Sequence, residues 1–463
     1  MIFRKRNYLF TISFFLLTSI TVFSQENELV KYLTMEEAIS RAINDNNLVK
    51  SNKYAVKKAN WDVKRAWAEL FPVLSFNTRY NWIDEQTFAE RDFRRYLPPE
   101  LASEIPQTVF QESYYSSFDV VMPLFNGILI NGLNIAYEQE TLSEQQTKSV
   151  EHQVIFNVIN SYLNTLKSKE LTNIQKEYLE LSKLNFEKAQ RLYRANRYSQ
   201  NDALRWKIDF QQQKSTVANS RAELRSSLLS LSRLINAKLD TNTAIDPAIL
   251  ENLENEKNLI LELSEEEILK MIDLKDDKLV EANASLAALK SGEEISRLLH
   301  NNSYSSFMPK INLSYSYGWR ENNTIDFDDY SPKNLMINFS LPIFSGFQNY
   351  TKLKSSLYEY KKNEEEFKDQ LLNTKLILHN VANNLINIKS QMDLLKSNVE
   401  LSKNNYTIVE RQRERGLISN IDYIDAKLRM QEANINYISN NYLFIASIVE
   451  LYYLTGKIQN LIY

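Results

Sequence analysis

The sequence predicts a mostly α-helical protein with a small β part, the whole laid out twice along the chain. Three observations carry this. Sequence signals recur in the same order about half a chain apart. Four short segments alternate apolar and polar residues. Two stretches of nearly 70 residues contain no proline and almost no glycine.

The repeat is read from paired motifs. Val121-Met-Pro-Leu-Phe-Asn-Gly127 returns as Ser340-Leu-Pro-Ile-Phe-Ser-Gly346, with Pro123 and Pro342 219 residues apart. Ser199-Gln-Asn-Asp202 returns as Ser419-Asn-Ile-Asp422, and Phe71-Pro-Val-Leu74 as Met308-Pro-Lys-Ile311. The period far exceeds that of solenoid repeats. The predicted organisation is a signal segment over 1–24, a first repeat over 25–238, a linker over 239–262 in the equatorial region and a second repeat over 263–463.

The signal segment has a basic start, Arg4-Lys5-Arg6, an apolar run from Tyr8 to Phe23, and Val22 and Ser24 ahead of a cut before Gln25. Cleavage would take the net charge from −3 to −6, which argues against nucleic acid as a partner. With no cysteine, disulfides, thiolate chemistry and a lipidated cysteine at the cut are excluded. No later segment has the ~18 consecutive apolar residues of a membrane helix.

Each repeat opens with a helix, marked by the capping boxes Thr34-x-x-Glu37 and Ser264-x-x-Glu267. The helices run to about Leu70 and His300. Strands follow at about 73–83 and 116–125, then 309–320 and 334–344. Leu74, Phe76, Tyr80 and Trp82 oppose Ser75, Asn77, Arg79 and Asn81. Phe118, Val120, Met122 and Leu124 oppose Ser117 and Asp119. Ile311, Leu313, Tyr315, Tyr317 and Trp319 oppose Lys310, Asn312, Ser314, Ser316 and Gly318. Leu335, Ile337, Phe339, Leu341 and Ile343 oppose Asn338 and Ser340. Strict alternation means half-buried strands. A soluble sheet on a core satisfies it. So does a transmembrane barrel with lipid outside and water inside, which the signal segment and the aromatic strand ends favour.

Long helices are expected over 128–196 and 347–415, followed by return helices over 200–236 and 420–454. In the second long helix Leu378, Val381, Leu385, Ile388, Met392, Leu395 and Val399 step by three and four, a coiled-coil seam. At 1.5 Å per residue such helices are ~100 Å long. The opening and return helices, stacked end to end, would match one long helix. Four strands are too few to close a barrel, and open edges are costly in lipid, so the barrel would be shared between chains.

These features together resemble the TolC-like outer-membrane efflux proteins over nearly the whole mature length. The resemblance rests on the duplicated architecture, Leu33-Thr-Met-Glu-Glu-Ala38, Leu70-Phe-Pro-Val-Leu74, the two Pro-[Leu/Ile]-Phe-x-Gly turns (Pro123 and Gly127, Pro342 and Gly346) and Gly416-x-x-Ser419-x-x-Asp422-x-x-Asp425-Ala426. It implies a homotrimer with a twelve-stranded shared β-barrel among outer-membrane lipid, continued by a periplasmic coiled-coil tunnel. It also implies a periplasmic membrane-fusion adaptor and an inner-membrane transporter of RND, ABC or MFS type as partners. The channel would passively carry small molecules or polypeptides outward.

Gly416 is expected where the second long helix reverses, since glycine permits a left-handed C-cap. Ser419 caps the return helix. Asp422 fits the capping box and the positive helix end, and Asp425 shares its face one turn on. By the resemblance, Asp422 and Asp425 line a periplasmic gate as two acidic rings; the alternatives are a helix cap for Asp422 and a solvated surface acid for Asp425. In the first repeat Asn196 stands for the glycine, Ser199 for the cap, Asp202 for the first aspartate and Arg205 for the second. Arg205 is a candidate partner for Asp425 or Asp422 of a neighbouring chain. Gly416, Ser419, Asn196 and Ser199 form the expected adaptor-docking tip. Arg191, Arg194, Arg197, Arg411, Arg413 and Arg415 make both approaches basic. Arg413 and Ile418 replace the tyrosine and arginine that lock the tip in some relatives.

The competing reading is a periplasmic coiled-coil adaptor or scaffold without a pore. An enzyme finds little support: His152, His300 and His379 are isolated, and neither a phosphate loop nor a nucleophile elbow is present. No metal or cofactor is expected. The segment from Asp84 to Ser113 reads as a long surface loop, and Glu321 to Lys333 as a shorter acidic one.

Overall fold

The computed structural model describes residues 31–461 apart from 322–331. The expected signal segment and most of the second loop lie outside the described residues.

The four alternating segments form one antiparallel sheet in the order Val73–Trp82, Glu112–Asn126, Lys310–Glu321, Lys333–Ser340. The register puts Phe76 opposite Phe118, and Phe118 opposite Tyr317. One face is therefore aromatic: the Phe76 and Phe118 rings lie 5.0 Å apart, and Phe118 and Trp319 meet edge to face at 5.8 Å. The other face is polar, where Asn77 and Ser117 donate to the Asp119 carboxylate at 2.6 and 2.7 Å. The first and last strands are exposed along their whole length. The second strand is longer than the alternation suggests. A bulge between Pro123 and Phe125 breaks the period, so Phe125 rather than Leu124 pairs with Ile311. The fourth strand ends at Ser340, short of the expected 344.

Two long helices, Gly127–Arg194 and Gln348–Glu414, leave this sheet and run ~100 Å. Each reverses into a return helix, Gln200–Ile235 and Asn420–Leu454. The seam from Leu378 to Met392 is buried as its spacing requires. Among the described residues no helix is long and apolar enough to cross a membrane.

The opening helices depart from expectation. The first breaks at Asn46 into Met35–Asp45 and Asn47–Ala68. The second is three pieces, Glu265–Ile272, Asp276–Ala282 and Ala284–Tyr304. One cause, an asparagine at the break, occurs in both repeats. Asn46 caps the next segment by accepting from Leu48 N, and its Nδ2 donates to the Leu234 carbonyl at 3.0 Å. Asn283 caps Ser285 and donates to the Leu454 carbonyl at 3.0 Å. Each break thus satisfies an orphan carbonyl at the end of a return helix and docks the two helices end to end. The left-handed residues that stop the return helices are Asn236 (φ 50°) and Gly456 (φ 72°). Only glycine fits at the latter, since a Cβ there would lie 2.0 Å from the Ala282 carbonyl oxygen.

The 239–262 segment is more than a linker. It pairs Ala244–Ile245 in parallel with Tyr32–Leu33 and then forms the helix Ala248–Glu262. Leu33, Ile39, Val158, Tyr162, Leu231, Ile245 and Val449 share the core at this level. The buried Tyr162 hydroxyl lies 2.9 Å from the Leu33 carbonyl and 2.7 Å from that of Asp246. The first loop likewise carries short helices, Glu85–Arg91 and Pro99–Glu104.

Candidate functional site

The tip is where both helical hairpins turn. In the first, Asn196 takes the left-handed conformation at φ 55° and Arg197 N bonds back to the Leu192 carbonyl. Ser199 then closes a full capping box: its Oγ accepts from Asp202 N at 3.1 Å, and the Asp202 carboxylate accepts from Ser199 N at 3.3 Å. In the second, Gly416 takes φ 73°, Ser419 Oγ accepts from Asp422 N at 3.2 Å and donates to Asp422 Oδ2 at 2.6 Å. Both turns follow from the same chemistry: a left-handed residue, then a hydroxyl cap.

Asp202 also reaches across the repeats. Its Oδ1 accepts from Asn420 Nδ2 at 3.1 Å, while Tyr198 OH donates to Asn420 Oδ1 at 3.3 Å. The Ser199 hydroxyl first, and then the Asn420 amide, hold the Asp202 carboxyl below the ordinary carboxylate range. Asp425 pairs with Arg429 of its own helix at 2.8 Å, both side chains exposed. Arg205 and Asp425 line one groove between the two return helices, together with Ile208, Ile421, Ile424 and Leu428.

The turns of the strand-to-helix junctions differ. Asn126 caps the first long helix through Ile128 N at 3.1 Å, and Gly127 lies against Met308 and Ser305. In the second junction Gly346 and Phe347 are both left-handed (φ 59° and 64°), and Pro342 sits in an apolar recess with Phe344 and Phe347.

Behind the tip lies a cluster that the sequence reading passed over. Lys427 has no exposed side-chain surface. Its Nζ donates to both Asp209 oxygens at 2.6 and 2.7 Å and to Ser182 Oγ at 3.0 Å. Burial pushes the lysine down from its ordinary range, and Asp209 opposes that shift. Beside it the Arg413 guanidinium lies 4.5 Å from the ring centre of buried Trp206 and 4.1 Å from that of Tyr423. Arg413 also donates to Asn185 at 3.0 Å, and the Tyr406 and Tyr423 hydroxyls meet at 2.6 Å. All four long and return helices are tied at one level. The one sequence hint was Trp206, a large aromatic beside Arg205 near the start of the return helix.

A sheet with one aromatic face and two open edges thus carries hairpins ~100 Å long. Residues 278–457 match the family model described as outer membrane efflux protein. The second repeat of this chain is thus similar to the outer membrane efflux proteins. It is 22% identical over 313 residues to the alkaline protease secretion protein AprF of Pseudomonas aeruginosa. That match takes in 66% of this chain and 60% of AprF, so the chain spans less than two thirds of that relative. Its fold matches the crystal structure of CusC (TM-score 0.76, 14% identity, 92% of this chain and 93% of that one). It also matches the Campylobacter jejuni CmeC outer membrane channel (TM-score 0.74, 14% identity, 92% and 86%). The fold is that of these TolC-like channels.

Proposed function

We propose that three copies of this chain form a passive exit duct in the outer membrane, for a tripartite efflux or type I secretion system. Each copy contributes four strands to a twelve-stranded barrel and four helical staves to a periplasmic tunnel. The observation that carries the reading is the sheet itself. Its outer strands expose every residue and offer unpaired edges, which lipid does not tolerate, while its aromatic face suits lipid. A pore-free adaptor or scaffold has no use for such a sheet.

The partners in this reading are a periplasmic membrane-fusion adaptor, docking at Gly416, Ser419, Asn196 and Ser199, and an inner-membrane transporter. Asp422 and Asp425, with Asp202 and Arg205 nearby, ring the periplasmic gate. Catalysis has no part in it. Similarity to a protease secretion protein favours a polypeptide cargo over a small molecule.

Single-channel conductance in a planar bilayer tests the duct. Wild type is compared with Asp422→Ala/Asp425→Ala and with Arg205→Ala. A small wild-type conductance that rises in either variant supports the gate. A large conductance unchanged by both leaves the duct and removes the gate. No conductance from inserted trimers refutes the duct.

A further inference from the structure

A cavity of about 580 Å3, open on one side, lies in the helical wall well away from the tip. Four helices supply its lining. Asn52 comes from Asn47–Ala68, Gln146 from the first long helix, Ser285 and Gly292 from Ala284–Tyr304, and Phe367 from the second long helix. The space is cleared by small side chains. Ser285, Ala288 and Gly292 stand on one face of their helix, and a Cβ at Gly292 would meet nothing within 4 Å. Leu142, Leu289 and Phe367 give the cavity an apolar side. Cavities of ~300–1,000 Å3 with an apolar lining and a few polar groups suit a drug-sized molecule.

The buried charge in the lining is a carboxylate. Glu293 is only 8% exposed. Its Oε2 accepts from Lys290 Nζ at 2.6 Å. Lys290 precedes Gly292 by two residues, about 200° around the helix, so it reaches the carboxylate from the side away from the cavity. Glu293 Oε1 accepts no hydrogen bond from any described residue. No lysine or arginine lines the cavity. Its other charged lining residue is Glu366, which Lys362 approaches to 3.8 Å. A carboxylate oxygen left without a donor in apolar surroundings favours a cationic donor.

The cavity opens on a definite side of the wall. Gln146 precedes Tyr162 by sixteen residues on the same helix, which places the two about 160° apart. The Tyr162 hydroxyl bonds to the carbonyls of Leu33 and Asp246, at the short strand pair. The cavity therefore opens away from those strands and from the helix Ala248–Glu262 that follows them. In a duct these added elements lie outside, where they leave the passage clear, and the cavity faces the tunnel.

We propose that this cavity binds a small amphiphilic ammonium ion, with the ammonium on Glu293 Oε1 and the apolar body between Leu142, Leu289 and Phe367. Its facing the tunnel rests on the duct reading above; the binding chemistry does not. The ligand is distinct from the polypeptide cargo favoured there, because a cavity of this size holds a compact molecule and not a chain. Bound, it lies on the tunnel wall and hinders passage.

Dansylcadaverine, a primary ammonium tethered to an apolar fluorophore, is the probe. It is titrated into the full-length protein in lipid nanodiscs, with empty discs subtracted. The expected result is a saturable rise in fluorescence. Glu293→Gln should weaken binding about tenfold. Gly292→Leu, which fills the open space, should abolish it, and Gly292→Ala should bind as wild type does. The N-acetylated probe, with the same body and no charge, should bind at least about tenfold more weakly. No saturable binding by wild type, undiminished binding by Gly292→Leu, or equal binding of the uncharged probe overturns the site. If Gly292→Leu does not fold by circular dichroism, Glu293→Gln and the uncharged probe still decide. In a planar bilayer the probe should lower the current of wild type and spare Gly292→Leu. Binding without that block overturns the tunnel-facing placement. Wild-type trimers that bind the probe and never conduct refute the duct and leave the ammonium site standing.

Discussion

Removing the Asp209 carboxylate is expected to loosen the tip far more than removing the whole ion pair. In Asp209→Ala the Lys427 ammonium stays in a site with no exposed side-chain surface, left with the Ser182 hydroxyl 3.0 Å away. Breaking a buried pair from one side costs about 3–5 kcal/mol, because the remaining charge is uncompensated. At 1.4 kcal/mol per tenfold, local opening rises roughly a hundred- to several-thousand-fold. Asp209→Leu/Lys427→Met replaces both charges by side chains that fill similar space, and such exchanges are about neutral or stabilising. Hydrogen exchange of peptides spanning Ser182, Asp209 and Lys427 reads this opening directly, because local opening need not unfold the sheet. The single variant should exchange faster by that factor and the double variant should stay near wild type. Equal exchange in the two variants would refute the reasoning, since the loss would then track packing and not an unpaired charge.

Two further outcomes follow from backbone and titration. Gly416→Ala meets open space at φ 73° and should cost only about 1–2 kcal/mol of left-handed strain; Gly456→Ala meets the Ala282 carbonyl as well and should prevent accumulation of folded protein, as read by thermal melts and yield. Asp202 has a folded-state pKa below its ordinary value of 3.8, so its stabilisation is present above that value and disappears as pH falls through the folded one. Exchange at Tyr198 and Asn420 should therefore accelerate on acidification below about pH 4 beyond what the intrinsic rate explains, and Asp202→Asn should flatten that dependence.

Much of the fold is written in short-range pattern. Period-two alternation placed all four strands because one face must meet an apolar surroundings and the other water. Leu124 escaped because a bulge changes the period just after Pro123, which cannot donate to the ladder. The three-four spacing from Leu378 to Met392 is likewise a direct record of burial. The helix breaks at Asn46 and Asn283 were missed since asparagine inside a polar helix is ordinary; its role depends on a return-helix carbonyl 188 residues away for Asn46 and 171 residues away for Asn283. The same distance hides the Lys427–Asp209 pair, whose partners are separated by 218 residues. At the tip, the turn residues Asn196, Ser199, Gly416 and Ser419 were legible through local capping rules. Asp425 is exposed, as its surface-acid alternative requires, and pairs with Arg429 one turn ahead on the same helix, a partner that helical spacing also offers.

The breaks at Asn46 and Asn283 have a mechanical side. Two of the four staves in each chain are jointed, and the other two are unbroken rods. An α-helix resists bending through its continuous hydrogen-bond ladder, whereas each joint replaces that ladder by one amide–carbonyl bond and a cap. Both joints abut the end of a return helix, where the short strand pair also runs across the wall. Stiffness along the wall is therefore uneven, with a compliant band between two rigid lengths.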